Sequence, residues 1–287
     1  MKKKPIVVSM GEPSGISTEI ILKSWKYRNK YKLPIFNIDE KVDFKLGKPN
    51  KKNAKIILRS IKISFDFVAQ KKALGLLTLP VCKRTLKSSG FTFNGQTEFI
   101  GDLSKKKFRH KNKEIMILST TKPSDKGKNL IVGLVTTHIP LKRIFSFLKK
   151  KEIEEKIWKI KQPRIGITGL NPHSGEDGLI GDEEKKVIEP IIKKLKTKGI
   201  LVSGPLSSDT CFFKNIREKY DGILCLYHDQ ALSPIKTLDF FNSINVTAGL
   251  PIIRVSPDHG PAFDIAKLKL AKINSVISSI KFLERHA

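Results

Sequence analysis

What this chain has little of narrows its class first. No apolar run comes near the roughly 18 residues that a membrane span needs. Only three cysteines occur among 287 residues, Cys82, Cys211 and Cys225, with no CxxC spacing. An odd, dispersed set argues against a disulfide framework or a cysteine zinc site, and free thiols suit a reducing compartment. Arginine is scarce too: nine among 55 Lys plus Arg, against 27 Asp plus Glu, so lysine carries most of the net charge of +28. The lysines are scattered (Lys2–Lys4, Lys51–Lys52, Lys105–Lys107, Lys149–Lys151, Lys193–Lys198) rather than drawn into one stripe. Bidentate recognition of bases or phosphates favours arginine. The charge therefore speaks for a solvated surface that attracts small anions more than for a nucleic-acid binder. The opening MKKKPIVVSM has a basic flank but too short an apolar stretch for a signal peptide, and GEPSG follows in place of a cleavage site. It reads as a first core strand of a cytoplasmic protein. No GxGxxG follows that strand, which excludes the Rossmann dinucleotide fingerprint.

What is present is an alternation of short apolar runs with helical patterns, predicting βα units and a largely parallel sheet. Strands are expected at 5–10, 74–79, 114–119, 130–137, 164–170, 222–227 and 244–249. The clearest helix is GDEEKKVIEPIIKKLKTKG (181–199), with Asp182 as N-cap, Val187, Ile188, Ile191 and Leu195 on one face, and Gly199 closing the end. Residues 261–287 read as helical throughout, with Ala266, Leu270, Ile273, Ile277 and Ile280 in the apolar stripe. Residues 28–72 are lysine-rich and too weakly patterned to place.

The informative fact is where unusual residues fall. His138 ends LIVGLVTTH, His173 follows RIGITGLNP, and His228 follows GILCLY; MGEPSG and PVCK also close apolar runs. In open α/β sheets the carboxyl edge is where ligands bind. Neutral imidazole is the commonest side-chain ligand for divalent metals, but it also serves acid–base chemistry, and spacings of 35 and 55 residues are no local metal motif. Lys236, Asn245 and Arg254 follow at intervals of nine. They make a clamp for phosphate or carboxylate, unless Arg254 serves a buried ion pair. Gln96 and Thr97 offer neutral hydrogen-bonding groups. Asp209, after a Gly-Pro turn, suits a site or an N-cap equally. His259, Gly260 and Asp264 lie in SPDHGPAFD, a turn whose amides suit an anionic or polar cofactor part. His110 and His286 read as surface residues.

Taken in order, GEPSGIS…E, TTHIPL, GLNPHSGEDG…G, GPLSSDT, YHDQALSPIK and NVTAGLPIIRVSPDHGPAFDIA resemble the PdxA family, the 4-hydroxythreonine-4-phosphate dehydrogenases of vitamin B6 biosynthesis. The resemblance runs from residue 5 almost to the end and is weakest at 28–72. It implies a two-domain α/β fold like the isocitrate and isopropylmalate dehydrogenases, with the active site in the interdomain cleft. The implied domains are approximately 1–125 with 250–287, and 126–249, the second carrying metal ligands and dimer contacts. It implies His138, His173 and His228 as ligands of one divalent ion (zinc, cobalt, manganese or magnesium), one of them supplied across a homodimer interface. Gln96, Thr97, Lys236, Asn245 and Arg254 would line the substrate site, and His259, Gly260 and Asp264 the cofactor site. Asp209 or Asp229 would orient ligands or relay a proton.

The implied reaction is oxidation by NAD, or NADP, of 4-phosphohydroxy-L-threonine to 2-amino-3-oxo-4-phosphooxybutanoate, which decarboxylates to 3-amino-2-oxopropyl phosphate. The chain departs from the family at three places: GQTE for the usual GHTE, PVCK for a PxHK-like block with Leu79 before it, and Lys267–Lys269 where a glycine-rich turn is expected. These departures keep two alternatives open: a dehydrogenase for another four-carbon phosphorylated hydroxy acid, and a non-catalytic protein that binds metal, anions or nucleic acid.

Overall fold

The computed structural model describes residues 4–27, 42–156 and 163–286. Nine strands occur among the described residues: β1 Val7–Ser9, β2 Leu76–Thr78, β3 Ile115–Ser119, β4 Ile131–Leu134, β5 Ile165–Thr168, β6 Val202–Leu206, β7 Gly222–Cys225, β8 Ile244–Ala248 and β9 Arg254–Pro257. The chain divides into two compact units, Met1–Glu114 with Ile244–Ala287, and Ile115–Ser243.

In the first unit the strand order is β1-β2-β9-β8. β1, β2 and β9 run parallel, and β8 pairs antiparallel to β9. Strand side chains point alternately to the two faces. Val8, Leu77 and Val255 therefore pack on one face with Ile20, Val276, Ile280 and Leu283 of the helices Ser17–Trp25 and Asn274–His286. Val7 and Leu76 pack on the other with Ile57, Ile61, Phe65, Phe99 and Ile100 of the helices Ala54–Ala69 and Gln96–Phe108.

The second unit has the order β3-β4-β7-β5-β6. β4, β7, β5 and β6 are parallel, with β3 antiparallel to β4. Leu224 and Leu226 face the helix Glu189–Thr197, whereas Ile223 and Cys225 face the helix His228–Leu238.

The structure adds two strands that the apolar pattern hides. β6 contains Gly204-Pro205, a pair that reads as a turn; as an edge strand it tolerates the missing proline donor. β9 is four residues long and begins with a charged residue. Of the unplaced segment, 28–41 lies outside the described residues, and the remainder contains the helix Ala54–Ala69. Its buried stripe was obscured by Ser60 and Ser64, small residues that let the helix approach β1; Met10 N–H donates to Ser60 Oγ at 2.8 Å.

Three expectations about helices are corrected. The last helix begins only at Asn274. Residues 263–269 form turns, Ala262 just before them and Lys269 at their end take left-handed backbone angles, and Leu270 is exposed. Asp182 does not cap its helix; it pairs with Lys186 one turn on. The helix opens with a wide π turn, Glu184–Ile188, before the α-helix Glu189–Thr197, because Pro190 has no N–H to close a regular turn. The apolar face and Gly199, with φ of +74° and Ile200 N–H donating to Leu195 O, are as expected.

Candidate active site

In the first unit, the polar end of one sheet face is organised around Arg254. Thr247 lies directly opposite it on β8, and Leu76 is its neighbour on β2. The side chain is 2% exposed. Its Nε and Nη2 donate to Thr78 Oγ1 at 3.0 and 2.6 Å, and its Nη1 donates to Thr97 Oγ1 at 3.3 Å and Thr247 Oγ1 at 2.9 Å. All four bonds end on neutral hydroxyls, so they hold the fork without neutralising it. Burial pushes its pKa down to about 10, a shift that the Glu98 carboxylate opposes. The ion-pair alternative for Arg254 is thus not the arrangement found.

Around it lie acceptor atoms that are buried and have no hydrogen-bond partner among the described residues: Gln96 Oε1, Asn245 Oδ1 and Glu98 Oε2. Gln96 is fixed by its other end, Nε2 donating to Leu79 O at 3.0 Å. Gln96 and Thr97 open the helix Gln96–Phe108. A buried guanidinium with unpartnered amide oxygens at a helix start is chemistry suited to an anionic, hydroxylated ligand.

Two other motifs of this unit meet each other. Ile16 N–H donates to Pro261 O at 2.9 Å, and a Cβ on Gly15 would lie 2.5 Å from that same oxygen, so GEPSG and HGPAFD can touch only through glycine. His259 Nδ1 lies 3.0 Å from Gly260 O; Gly260 borders open space and Asp264 is exposed. His110 is corrected from the surface: its Nε2 lies 2.8 Å from Ser104 Oγ and its Nδ1 is buried.

In the second unit the three histidines and Asp209 all follow the carboxyl ends of parallel strands, His138 after β4, His173 after β5, Asp209 after β6 and His228 after β7. The His138 and His228 rings are 5.5 Å apart between centroids. His173 Nδ1 is 3.9 Å from Asp209 Oδ2, and His228 Nδ1 is 2.6 Å from Asp229 Oδ1. The Ser207 hydroxyl donates to Asp209 Oδ1 at 2.6 Å and holds that carboxyl below the usual carboxylate range, against the opposing effect of burial. Among the described residues no group of three His, Cys, Asp or Glu could hold a metal ion within one chain. The structure brings His138 to His228 and His173 to Asp209. Lys236, on the helix His228–Leu238, donates to Ser243 Oγ at 3.3 Å and lies 5.5 Å from the Phe240 ring centroid.

The loop that presents His173 has unusual backbone. His173, Ser174, Gly175, Glu176 and Asp177 are all left-handed, a conformation that costs L-residues roughly 1–2 kcal/mol each. Glu184 pins its base: Oε1 accepts Leu170 N–H at 2.7 Å and Asn171 N–H at 2.8 Å, and Oε2 accepts Asn171 Nδ2 at 2.9 Å. Burial would raise the Glu184 carboxyl, but these donors outweigh it and hold the group below its ordinary range. Glu184 is 2% exposed, a burial for which one sequence carries no signal.

The family model described as pyridoxal phosphate biosynthetic protein PdxA matches residues 14–283. The chain belongs to the PdxA family. Among its relatives is a protein of Zymomonas mobilis named 4-hydroxythreonine-4-phosphate dehydrogenase, 34% identical over 324 aligned residues that take in 96% of this chain and 94% of that one. A solved PdxA-like structure, titled a putative 4-hydroxythreonine-4-phosphate dehydrogenase from Salmonella typhimurium, superposes with a TM-score of 0.79 at 29% identity and covers the whole of both chains. Isocitrate dehydrogenase from Methylococcus capsulatus, at 10% identity and a TM-score of 0.53 over 99% of this chain and 85% of that one, shares the fold. The expected fold class, an α/β architecture of the isocitrate dehydrogenase kind, is therefore the one found.

Proposed function

We propose that this PdxA-family chain oxidises 4-phosphohydroxy-L-threonine with NAD and a divalent metal, giving 2-amino-3-oxo-4-phosphooxybutanoate, which loses carbon dioxide to 3-amino-2-oxopropyl phosphate. Membership of a dehydrogenase family implies a nicotinamide cofactor and a metal in general terms; the choice of NAD belongs to the proposal. The observation that carries it is Arg254, a buried guanidinium bound only by hydroxyls. A buried charge that makes no direct ion pair, and feels the Glu98 carboxylate only at a distance, is costly, and a phosphate dianion is the ligand that would relieve it. Thr97, Gln96, Asn245 and Lys236 are assigned with it to the substrate.

The donor set fits a divalent ion by its chemistry: three imidazoles borne by one strand edge, two of them with rings 5.5 Å apart. His138, His173 and His228 would hold it, one coming from the second subunit of a homodimer. When bound, such an ion supplies Lewis acidity toward the substrate hydroxyl, and the nicotinamide ring accepts hydride. The protein's own groups prepare this. The Asp229 carboxylate at His228 Nδ1 keeps a proton there and leaves Nε2 as the donor atom. Asp209, whose carboxylate accepts the Ser207 hydroxyl, is assigned with Asp229 to orient ligands or relay the proton. His259, Gly260 and Asp264 are assigned to the cofactor.

The test is NADH formation by purified protein with 4-phosphohydroxy-L-threonine and NAD, before and after chelation and metal return. Turnover that vanishes on chelation and comes back with metal is expected; absence of turnover by folded, metal-loaded protein would refute the proposal. Gln96 favours a second reading, oxidation of another four-carbon phosphorylated hydroxy acid. Its unpartnered Oε1 is a neutral acceptor where the family carries histidine. A panel of such acids decides between the two by kcat/KM.

A further inference from the structure

Gln230, in the sequence YHDQ, has no part in the chemistry above, yet it is 7% exposed and fully engaged. Its Oε1 accepts Leu226 N–H at 2.7 Å and the Thr168 hydroxyl at 2.8 Å. Its Nε2 donates to Gly169 O at 2.8 Å and Ser208 Oγ at 2.7 Å. A side-chain amide has two donors and two acceptor positions, so every one is used. The four bonds reach three separate segments. Thr168 and Gly169 end β5 and lead into the left-handed loop with His173. Ser208 adjoins Asp209 after β6. Leu226 stands two residues before His228, at the turn from β7 into the helix His228–Leu238.

A residue that merely filled the core would need no such set of partners. Neighbouring buried positions of the same helix, Ala231 and Ile235, are apolar. A buried network is worth keeping only when fully satisfied, and this one is satisfied by groups from three of the four segments that bear a candidate ligand or base, those of His173, Asp209 and His228. We infer that Gln230 is a positioning residue: it locks the His173 loop, the Asp209 loop and the start of the His228 helix into one rigid set, and so sets the affinity of the imidazoles for metal. The inference rests on the metal reading of His173 and His228.

The test is titration of cobalt(II) chloride into chelator-treated full-length protein, read by calorimetry and by visible absorption, for wild type, Gln230→Glu, Thr168→Val, Ser208→Ala and His228→Ala. Gln230→Glu keeps the acceptors but loses both donors and sets a carboxylate oxygen against Gly169 O. Its cobalt affinity is expected to fall about 10- to 100-fold, the range for loss of a group supporting metal ligands. The apparent KM for cobalt should rise, and saturating cobalt should restore kcat toward wild type, a rescue that a purely structural defect would not allow. Thr168→Val and Ser208→Ala each remove one of the Gln230 bonds, along with the longer bond of that hydroxyl to Leu224 O or Gly169 O, and smaller losses of affinity in both are expected even if Gln230→Glu does not fold. Wild-type cobalt affinity in Thr168→Val and Ser208→Ala, or in a folded Gln230→Glu, while His228→Ala binds weakly, overturns the inference and leaves the histidine reading standing. Equal binding by wild type and His228→Ala removes the histidine reading, and the inference with it.

Discussion

Arg254 poses a conflict between stability and binding that a single substitution can expose. Replacing a buried charge by an apolar group of similar length is often neutral or stabilising, whereas a charged hydrogen bond to a ligand is worth about 1.5–3 kcal/mol. Arg254→Met should therefore melt at or above the wild-type temperature in calorimetry. In steady-state kinetics it should raise KM for the phosphorylated substrate by tenfold or more. A lowered melting temperature with unchanged KM would show that the arginine is structural. A second residue-scale prediction concerns acid. Arg217, 3% exposed, donates to Asp125 Oδ2 and Oδ1 at 2.6 and 2.7 Å and holds that carboxyl down to about 2, against the opposing effect of burial. A carboxylate with a depressed folded pKa stabilises above its unfolded value and loses that contribution as pH falls through the folded one. Urea midpoints of the wild type should drop more steeply than those of Asp125→Asn from about pH 4 toward pH 2.

At the scale of elements, the loop His173–Asp177 is the strained part of the candidate site. Gly175 has φ of +82°, and a Cβ there would stand 2.8 Å from Glu184 Oε2. Gly175→Ala should destabilise by more than about 1 kcal/mol and lower cobalt affinity as the loop gives way. Glu184→Gln, which weakens the grip on Leu170 and Asn171, should cost about 1–3 kcal/mol in denaturant unfolding. The sequence made the placement of His138, His173 and His228 legible because each closes an apolar run, and runs of that kind become parallel strands. It did not make legible what holds them. A left-handed turn, a glutamate folded back under a loop and an amide bonded to three segments all depend on contacts between residues far apart in the chain. Periodicity reports on neighbours one turn or one pleat away. The same limit explains why the stripe of residues 261–273 misled: the spacing was helical, but turns with left-handed residues were needed to bring HGPAFD against GEPSG.

At the scale of the whole molecule, the first unit is completed by the end of the chain. The helix Asn274–His286 inserts Val276, Ile280 and Leu283, all at most 4% exposed, into its core. At about 1.5–3 kcal/mol for each buried side chain, their removal costs roughly 5–9 kcal/mol, comparable to the total stability of a domain. In a chain ending at Lys272 the first unit should lose its cooperative melting transition, leaving only that of the second unit, measured by circular dichroism. Retention of a wild-type transition would mean that the helix is an ornament to this unit.

The strand order carries a consequence for synthesis. β2 is flanked by β1 and β9, and Leu76 pairs with Arg254. On the ribosome, β1 and β2 emerge early, but β9 and β8 wait until residues 115–243, the whole second unit, have been made. At about 5–20 residues per second, those 129 residues take roughly 6–26 s. For that interval one edge of β2 and the apolar faces around it have no native partner. The second unit, contiguous in sequence, can fold in the meantime. The nascent chain thus passes through a stage in which a finished unit trails an unfinished, adhesive one, and this is the window in which a chaperone would be of most use to it.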